Sequence, residues 1–330
     1  MKVLHFGSYW MGGNDIVALM AKDLKGVTEA KIVDTELYTG RPSPWLHKDS
    51  DPEHQAVNWI NDDKMLELMA NYTPDAVVCN AGGMSLTPDM HRELRRRGIV
   101  TVGIALSDPD VFAAQGQHYA SLFDLYYTNA EVSIAQYEAI GVKARLLPFA
   151  ASPEFHRPMP SVKKIYDVII VGHPRADRLA AVKELDKHFN VGLYGKGWKR
   201  WGLIPRSRQV NGVEHVKALN TGRAYISFSK TVAGFINVKV GLFEAVACGT
   251  AVFTEEFPEM EKYFEYGTEI VGYSSLEELV HKLKNYLPHP SKLTTLAENA
   301  RARLLRDHTW VQRWEQVLGD VEVRRRGTRR

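Results

Sequence analysis

Short apolar runs alternate with helical patterns along the whole chain, in two series separated by a proline-rich break. That alternation demands parallel sheets joined by crossover helices, because each strand must return to the same edge before the next can pair. KVLHFG (2–7) reads as a first strand, followed by a Gly12-Gly13 loop and a helix over residues 15–24. AKIVDT (30–35) is a second strand, and a helix over 63–71 precedes DAVVCNAGG (75–83), a strand entering a glycine loop. HRELRRRG (91–98) reads as a helix ended by Gly98, and IVTVGIAL (99–106) and FDLYYTN (123–129) as strands. EVSIAQYEAIG (131–141) is a helix before ARLLPFA (144–150).

The break is ASPEFHRPMPSVKK (151–164), with three prolines and two serines, and it reads as a linker. A second series follows: strand 166–172, helix 177–189, strands 191–195 and 223–229, a helix, strand 250–255, then helices to the end. The expectation is two Rossmann-like α/β domains, 1–155 and 156–308, across a cleft, with a final helix and basic tail over 309–330. In such sheets ligands bind beyond the carboxyl ends of the strands.

Composition narrows the class. With 45% hydrophobic and 25% charged residues the chain reads as soluble and globular. No apolar run reaches the roughly 18 residues that would span a bilayer. MKVLHFG reads as a strand, not a signal peptide. Cys79 and Cys248 are the only cysteines, without metal-ligand spacing, which predicts a reducing, cytoplasmic setting. The net charge is +3, but five of the 42 basic residues lie in RRRGTRR (324–330). Without them 37 bases face 39 acids, a body near −2. Two readings of that tail stand open, a solvated terminus and a contact to nucleic acid or another anionic surface.

Several loops after strands offer ligand chemistry. GSYWMGGND (7–15) places Trp10, Gly12 and Gly13 between a strand and a helix start, a setting for an anion or acceptor. CNAGGMS (79–85) is similar. In VGHPRADR (171–178) a strand ends at Gly172, and Arg175 and Arg178 open the next helix, which suits a diphosphate. GLYGKGWKRWG (192–202) joins Gly195 to a basic aromatic loop, where Trp198 could stack on a base or sugar or simply cover the core. ALSDPD (105–110) contains D-x-D, but a proline between the acids favours a turn over a metal site. Asp108 follows a strand and so points into the predicted cleft, and His118, ten residues on, is the leading acid–base candidate; these two are the expected catalytic residues. Glu244 interrupts the apolar run 240–248, where a carboxylate needs partners. Asn237 and Lys239 precede it at the helix start, offering charge and free amides to an anion. A ribose with two adjacent hydroxyls would suit the acid.

FEAVACGTAVFTEEFPEMEKYFEYGTE (243–269) resembles the donor-site signature of GT-B glycosyltransferases of the group 1 family. YDVIIVGHPRADRLAAV, VGLYGKGWKRWG, the run from FDLYYTN through the linker, and the closing helices further resemble its branch of spore-maturation-type, CgeB-like proteins. The resemblance covers roughly residues 95 to 315. It implies a GT-B fold whose second domain binds a nucleotide-sugar donor, UDP-linked favoured, and whose first faces an acceptor hydroxyl. It implies that Glu244 holds the ribose, that Lys239 and Arg175 sit near the diphosphate, and that amides around Gly249 and Thr250 complete the site. It further implies that no cofactor or metal is needed, and that the last helix crosses back to the first domain. Two departures stand out: Ile236 occupies the place of a second, upstream glutamate, and Lys239 that of an arginine. The acceptor stays open between a glycan, a small molecule and a modified nucleic-acid base. A nucleotide-sugar epimerase and a non-enzymatic ligand-binding protein are the alternatives.

Overall fold

The computed structural model describes residues 1–7, 15–34, 58–80, 84–203, 210–231 and 234–328. It divides into two units, Met1–Pro148 with Thr231–Phe235 and Trp310–Arg330, and Phe149–Lys230 with Ile236–Thr309. The chain thus leaves the first unit at Pro148, a few residues before the proline-rich segment.

The first unit carries β1 (Lys2–Gly7), β2 (Glu29–Asp34), β3 (Asn58–Ile60), β4 (Ala76–Asn80), β5 (Met84–Leu86), β6 (Val100–Ala105), β7 (Leu125–Thr128) and β8 (Ala144–Leu146). Six of these form a parallel sheet in the order β2-β1-β4-β6-β7-β8, and β3 pairs with β5 in a two-stranded one. Strands β4 and β6 are buried along their full length, as strands covered on both faces must be. The Ile16–Val27 helix starts where Asp15 accepts hydrogen bonds from the Val17 and Ala18 amides, and Pro88–Arg96 starts at Thr87 with Pro88 in its first turn. The C-terminal helix Trp310–Thr328 belongs to this unit. Trp314 donates to the Met20 carbonyl at 2.7 Å and stands edge-on to the His5 ring, while Asp320 accepts from Tyr127 and pairs with Arg145.

The second unit carries β9 (Tyr166–Val171), β10 (Val191–Tyr194), β11 (Gly222–Ser227), β12 (Ala251–Glu255) and β13 (Val271–Tyr273), in the order β10-β9-β11-β12-β13. All are parallel. Its core joins Val168, Ile170, Leu193, Ile226 and Phe253 to Leu279 and Leu283 of the Leu276–Tyr286 helix. The chain order of these strands reverses between β9 and β11, and a sheet of this kind opens its ligand crevice at that switch point, beyond the strands' carboxyl ends. β13 and the Val213–Thr221 helix add to the expected elements. The strand is three residues long, too short for a period to be read from it.

Candidate functional site

At the switch point of the second unit, the turns after β9 and β10 are locked together. Trp198 is wholly buried and donates its indole N–H to the Gly172 carbonyl at 2.8 Å. Gly195 has φ +135°, and a Cβ placed there would lie 2.1 Å from that same carbonyl oxygen. Glycine is therefore obligatory, both for its backbone conformation and for its lack of a side chain. The expectation of Trp198 as a stacking platform is corrected: an indole with no exposed face packs the core and ties two loops. Trp201 of the same turn is 57% exposed.

Two guanidiniums follow the β9 turn. Arg175 occupies the N-cap position of the Ala176–Leu185 helix, without a side-chain capping bond, and holds Asp177 at 3.1 Å, while Arg178 donates to the His173 carbonyl and lies over the Phe228 ring at 5.5 Å. Phe228 follows β11, so Arg178 bridges the two sides of the switch point. Burial, and then the neighbouring Arg175, push the Arg178 guanidinium below its usual value. A cation partly stripped of water beside another cation is a strong anion ligand.

The third contribution is the Val240–Ala247 helix, with Lys239 at its N-cap. Lys239 donates to the Asn237 side chain, whose own backbone amide donates to the Ser229 carbonyl. Glu244, in the second turn, meets two histidines: His215 Nε2 at 3.0 Å from Oε2, and His156 Nε2 at 3.5 Å from Oε1. Burial alone would raise the Glu244 carboxyl, but the two imidazoles outweigh it and hold the acid down at about 2. Burial lowers His156, whereas for His215 the pull of Glu244 exceeds the effect of burial and raises it.

Other expected residues fall elsewhere. Gly249 and Thr250 lie at the carboxyl end of this helix and before β12, the opposite edge of the sheet from Lys239. Eight residues of helix, about 12 Å, separate the two ends. Thr250 donates to the Leu219 carbonyl, and Gly249 borders a cavity of about 690 Å³ with Lys164, Arg223 and Arg301. They therefore do not complete the Lys239 group. In the first unit Asp108 is buried and accepts from Thr128 at 2.7 Å and Tyr137 at 2.9 Å, with burial raising its carboxyl. Exposed His118 sits on a helical turn against the Ala113 carbonyl and Gln117. Trp10, Gly12 and Gly13 lie outside the described residues.

The arginine tail continues the C-terminal helix. Arg325 pairs with Asp75 at 2.5 Å, Arg324 with Asp124 at 3.4 Å and Arg326 with Glu322 at 3.7 Å. Among the described residues, no helix is long and apolar enough to cross a membrane.

His156 and His215 were not among the expected site residues. The first sits in the segment read as a linker and the second in a helix that its short apolar pattern did not announce. Only a search for polar partners of Glu244 would have singled them out.

A search of curated proteins gives no match to this chain. Residues 175–319 match the family described as Glycosyl transferase-like. The chain is similar to a sucrose-phosphate synthase from Thermosynechococcus elongatus, at 13% identity and TM-score 0.63 over 98% of both chains. It is similar to HepE of Anabaena, solved with UDP and glucose, at 12% identity and TM-score 0.65 over 98% of this chain and 100% of that one. AviGT4, a glycosyltransferase of avilamycin A biosynthesis, is similar at 16% identity and TM-score 0.61 over 99% and 98%. The chain accordingly has the GT-B fold, built from two Rossmann-like domains, and the glycosyltransferase-like match covers most of the second and the first half of the C-terminal helix.

Proposed function

We propose that the protein transfers a hexosyl or pentosyl group from a nucleoside diphosphate sugar, UDP-linked by preference, to an acceptor hydroxyl. The observation that carries this reading is the arrangement around one switch point: Arg175 and Arg178 open the helix after β9, Arg178 lies over Phe228 after β11, and Lys239 opens the helix that follows, with Glu244 in its second turn. Diphosphate recognition needs the first three, and ribose recognition needs the last. The family match over residues 175–319 and the UDP held by the similar HepE support the choice of donor. Within the family, the sequence pattern favours the spore-maturation-type branch.

In this reading the leaving diphosphate gathers negative charge as the glycosidic bond breaks. Arg175, Arg178, Lys239 and the first amides of the Val240–Ala247 helix meet that charge, already fixed in place. They do so without a metal on the diphosphate. Glu244 orients the nucleoside by accepting from ribose hydroxyls.

Loss of one such cation removes on the order of 3 kcal/mol of transition-state stabilisation. Lys239→Ala is expected to lower kcat by about a hundredfold with the fold intact. Glu244→Ala is expected to weaken UDP binding in calorimetry. A panel of UDP-, GDP-, dTDP- and ADP-sugars on the wild-type protein completes the test. Failure of every donor to bind, or unaltered kinetics in both variants, would remove the assignment.

A further inference from the structure

The contacts of Glu244 are unusual for a simple hydrogen-bonded acid. His156 is only 2% exposed, yet its Nδ1 has no hydrogen-bond partner and its Nε2 stands 3.5 Å from Glu244 Oε1. That distance is long for an N–H···O bond. A ring nitrogen withdrawn from water and held, like this Nε2, too far from its acceptor for a good hydrogen bond costs free energy unless something else satisfies it. One atom from each of His156, His215 and Glu244 lies within 4.8 Å of the others. Ligands held about 2.0–2.2 Å from one tetrahedral ion stand about 3.3–3.6 Å apart; His215 Nε2 lies 3.0 Å from one Glu244 oxygen and His156 Nε2 3.5 Å from the other, each near that spacing, so a small turn of the carboxylate brings a single oxygen to both.

We propose that His156, His215 and Glu244 form a binding site for a divalent transition ion of the zinc class, ligated by both Nε2 atoms and the Glu244 carboxylate. Two imidazoles and one carboxylate suit such an ion, whereas magnesium and calcium call for oxygen ligands. The three residues come from the segment before β9, the start of the Val213–Thr221 helix and the middle of the Val240–Ala247 helix. An ion here ties together three stretches that sequence places far apart. The side chains of His215 and Glu244 keep 21% and 13% of their exposure, which leaves a route in and a place for water as a further ligand. A consequence that rests on the ribose role of Glu244 is that ion and donor exclude one another, so the ion acts as an inhibitor and not as a catalyst.

The test uses the full chain, stripped with chelator and without donor, titrated with Co²⁺ by visible absorption and with Zn²⁺ by calorimetry. One tight equivalent per chain is expected. His156→Ala, His215→Asn and Glu244→Gln should each weaken it at least about tenfold. His215→Asn is the decisive variant, because it lies at the partly open side and its amide can still donate to Glu244; circular dichroism checks its fold. Zinc should raise the Tm of the wild type and not of this variant. Absence of a stoichiometric equivalent in the wild type, or equal affinity in folded His215→Asn, overturns the site. Competition between UDP and zinc supports the exclusion; unchanged zinc affinity at saturating UDP overturns it and leaves the metal site standing, while loss of UDP binding alone bears on the donor reading.

Discussion

Asp108 shows how a carboxylate placed after a strand can be structural. Its neighbours are a threonine and a tyrosine that donate to the same oxygen, within a ring cluster of Tyr119, Tyr126 and Tyr137. Asp108→Ala should remove the acceptor and leave two buried hydroxyls with only their longer contacts, Tyr137 to Tyr126 at 3.3 Å and Thr128 to the Ala130 carbonyl at 3.5 Å, costing about 2–4 kcal/mol. Urea unfolding would show that loss. UDP binding, measured at a temperature where the variant is folded, should be unchanged; a fall in UDP affinity of tenfold or more would return Asp108 to the site. The same contrast explains what could be read of the site in advance. Arg175, Arg178, Lys239 and Glu244 were legible because charged residues at a strand end or inside an apolar run announce themselves. His156 and Trp198 were not, since their roles depend on partners 88 and 26 positions away, a relation that no local pattern encodes.

Among the elements, the crossing of the β9 and β10 turns is the part of the candidate site that rests on packing. Trp198 fills the core beneath the loop and its N–H occupies the Gly172 carbonyl. Trp198→Phe keeps an aromatic ring but leaves that carbonyl unpaired and a small void, which together should cost about 2–4 kcal/mol. The freed turn also carries Arg175 and Arg178 three and six residues past Gly172, so UDP affinity should fall with stability. Calorimetry and urea unfolding on one preparation check the pairing. Stability lost with affinity kept would show that the two arginines are held independently of the crossing. The strands and most helices of both sheets were visible as periodic apolar runs, because burial on both faces writes a continuous signal. β3, β5, β8 and β13, each three residues long, carried too little of it to be placed by pattern alone, although β8 falls within an expected run.

At the scale of the whole molecule, buried histidines set how stability answers to pH. His5 is completely buried against Trp314, and burial lowers it to about 3; His91 lies under Phe123 and against Thr101, and burial lowers it to about 4, partly offset by Asp124. Both are neutral in the folded chain throughout the range where the unfolded chain protonates, near about 6.5. Below that value the unfolded state binds more protons than the native one, so stability falls as pH falls and levels off only near the folded values. Each histidine contributes a slope approaching ~1.4 kcal/mol per pH unit, or ~2.8 for the pair. In the second unit His156 is lowered and His215 raised around Glu244, so their effects oppose each other. Between about pH 6.5 and 5, above the range where most carboxylates titrate, the urea midpoint should therefore drop steadily. His5→Phe preserves an edge-on ring against Trp314 and should remove about half of that slope while leaving the protein folded at pH 7. A midpoint flat between pH 6.5 and 5 in the wild type, or an identical slope in His5→Phe, would show that the buried rings are protonated in the native state and that their charge is met by groups other than those that now surround them.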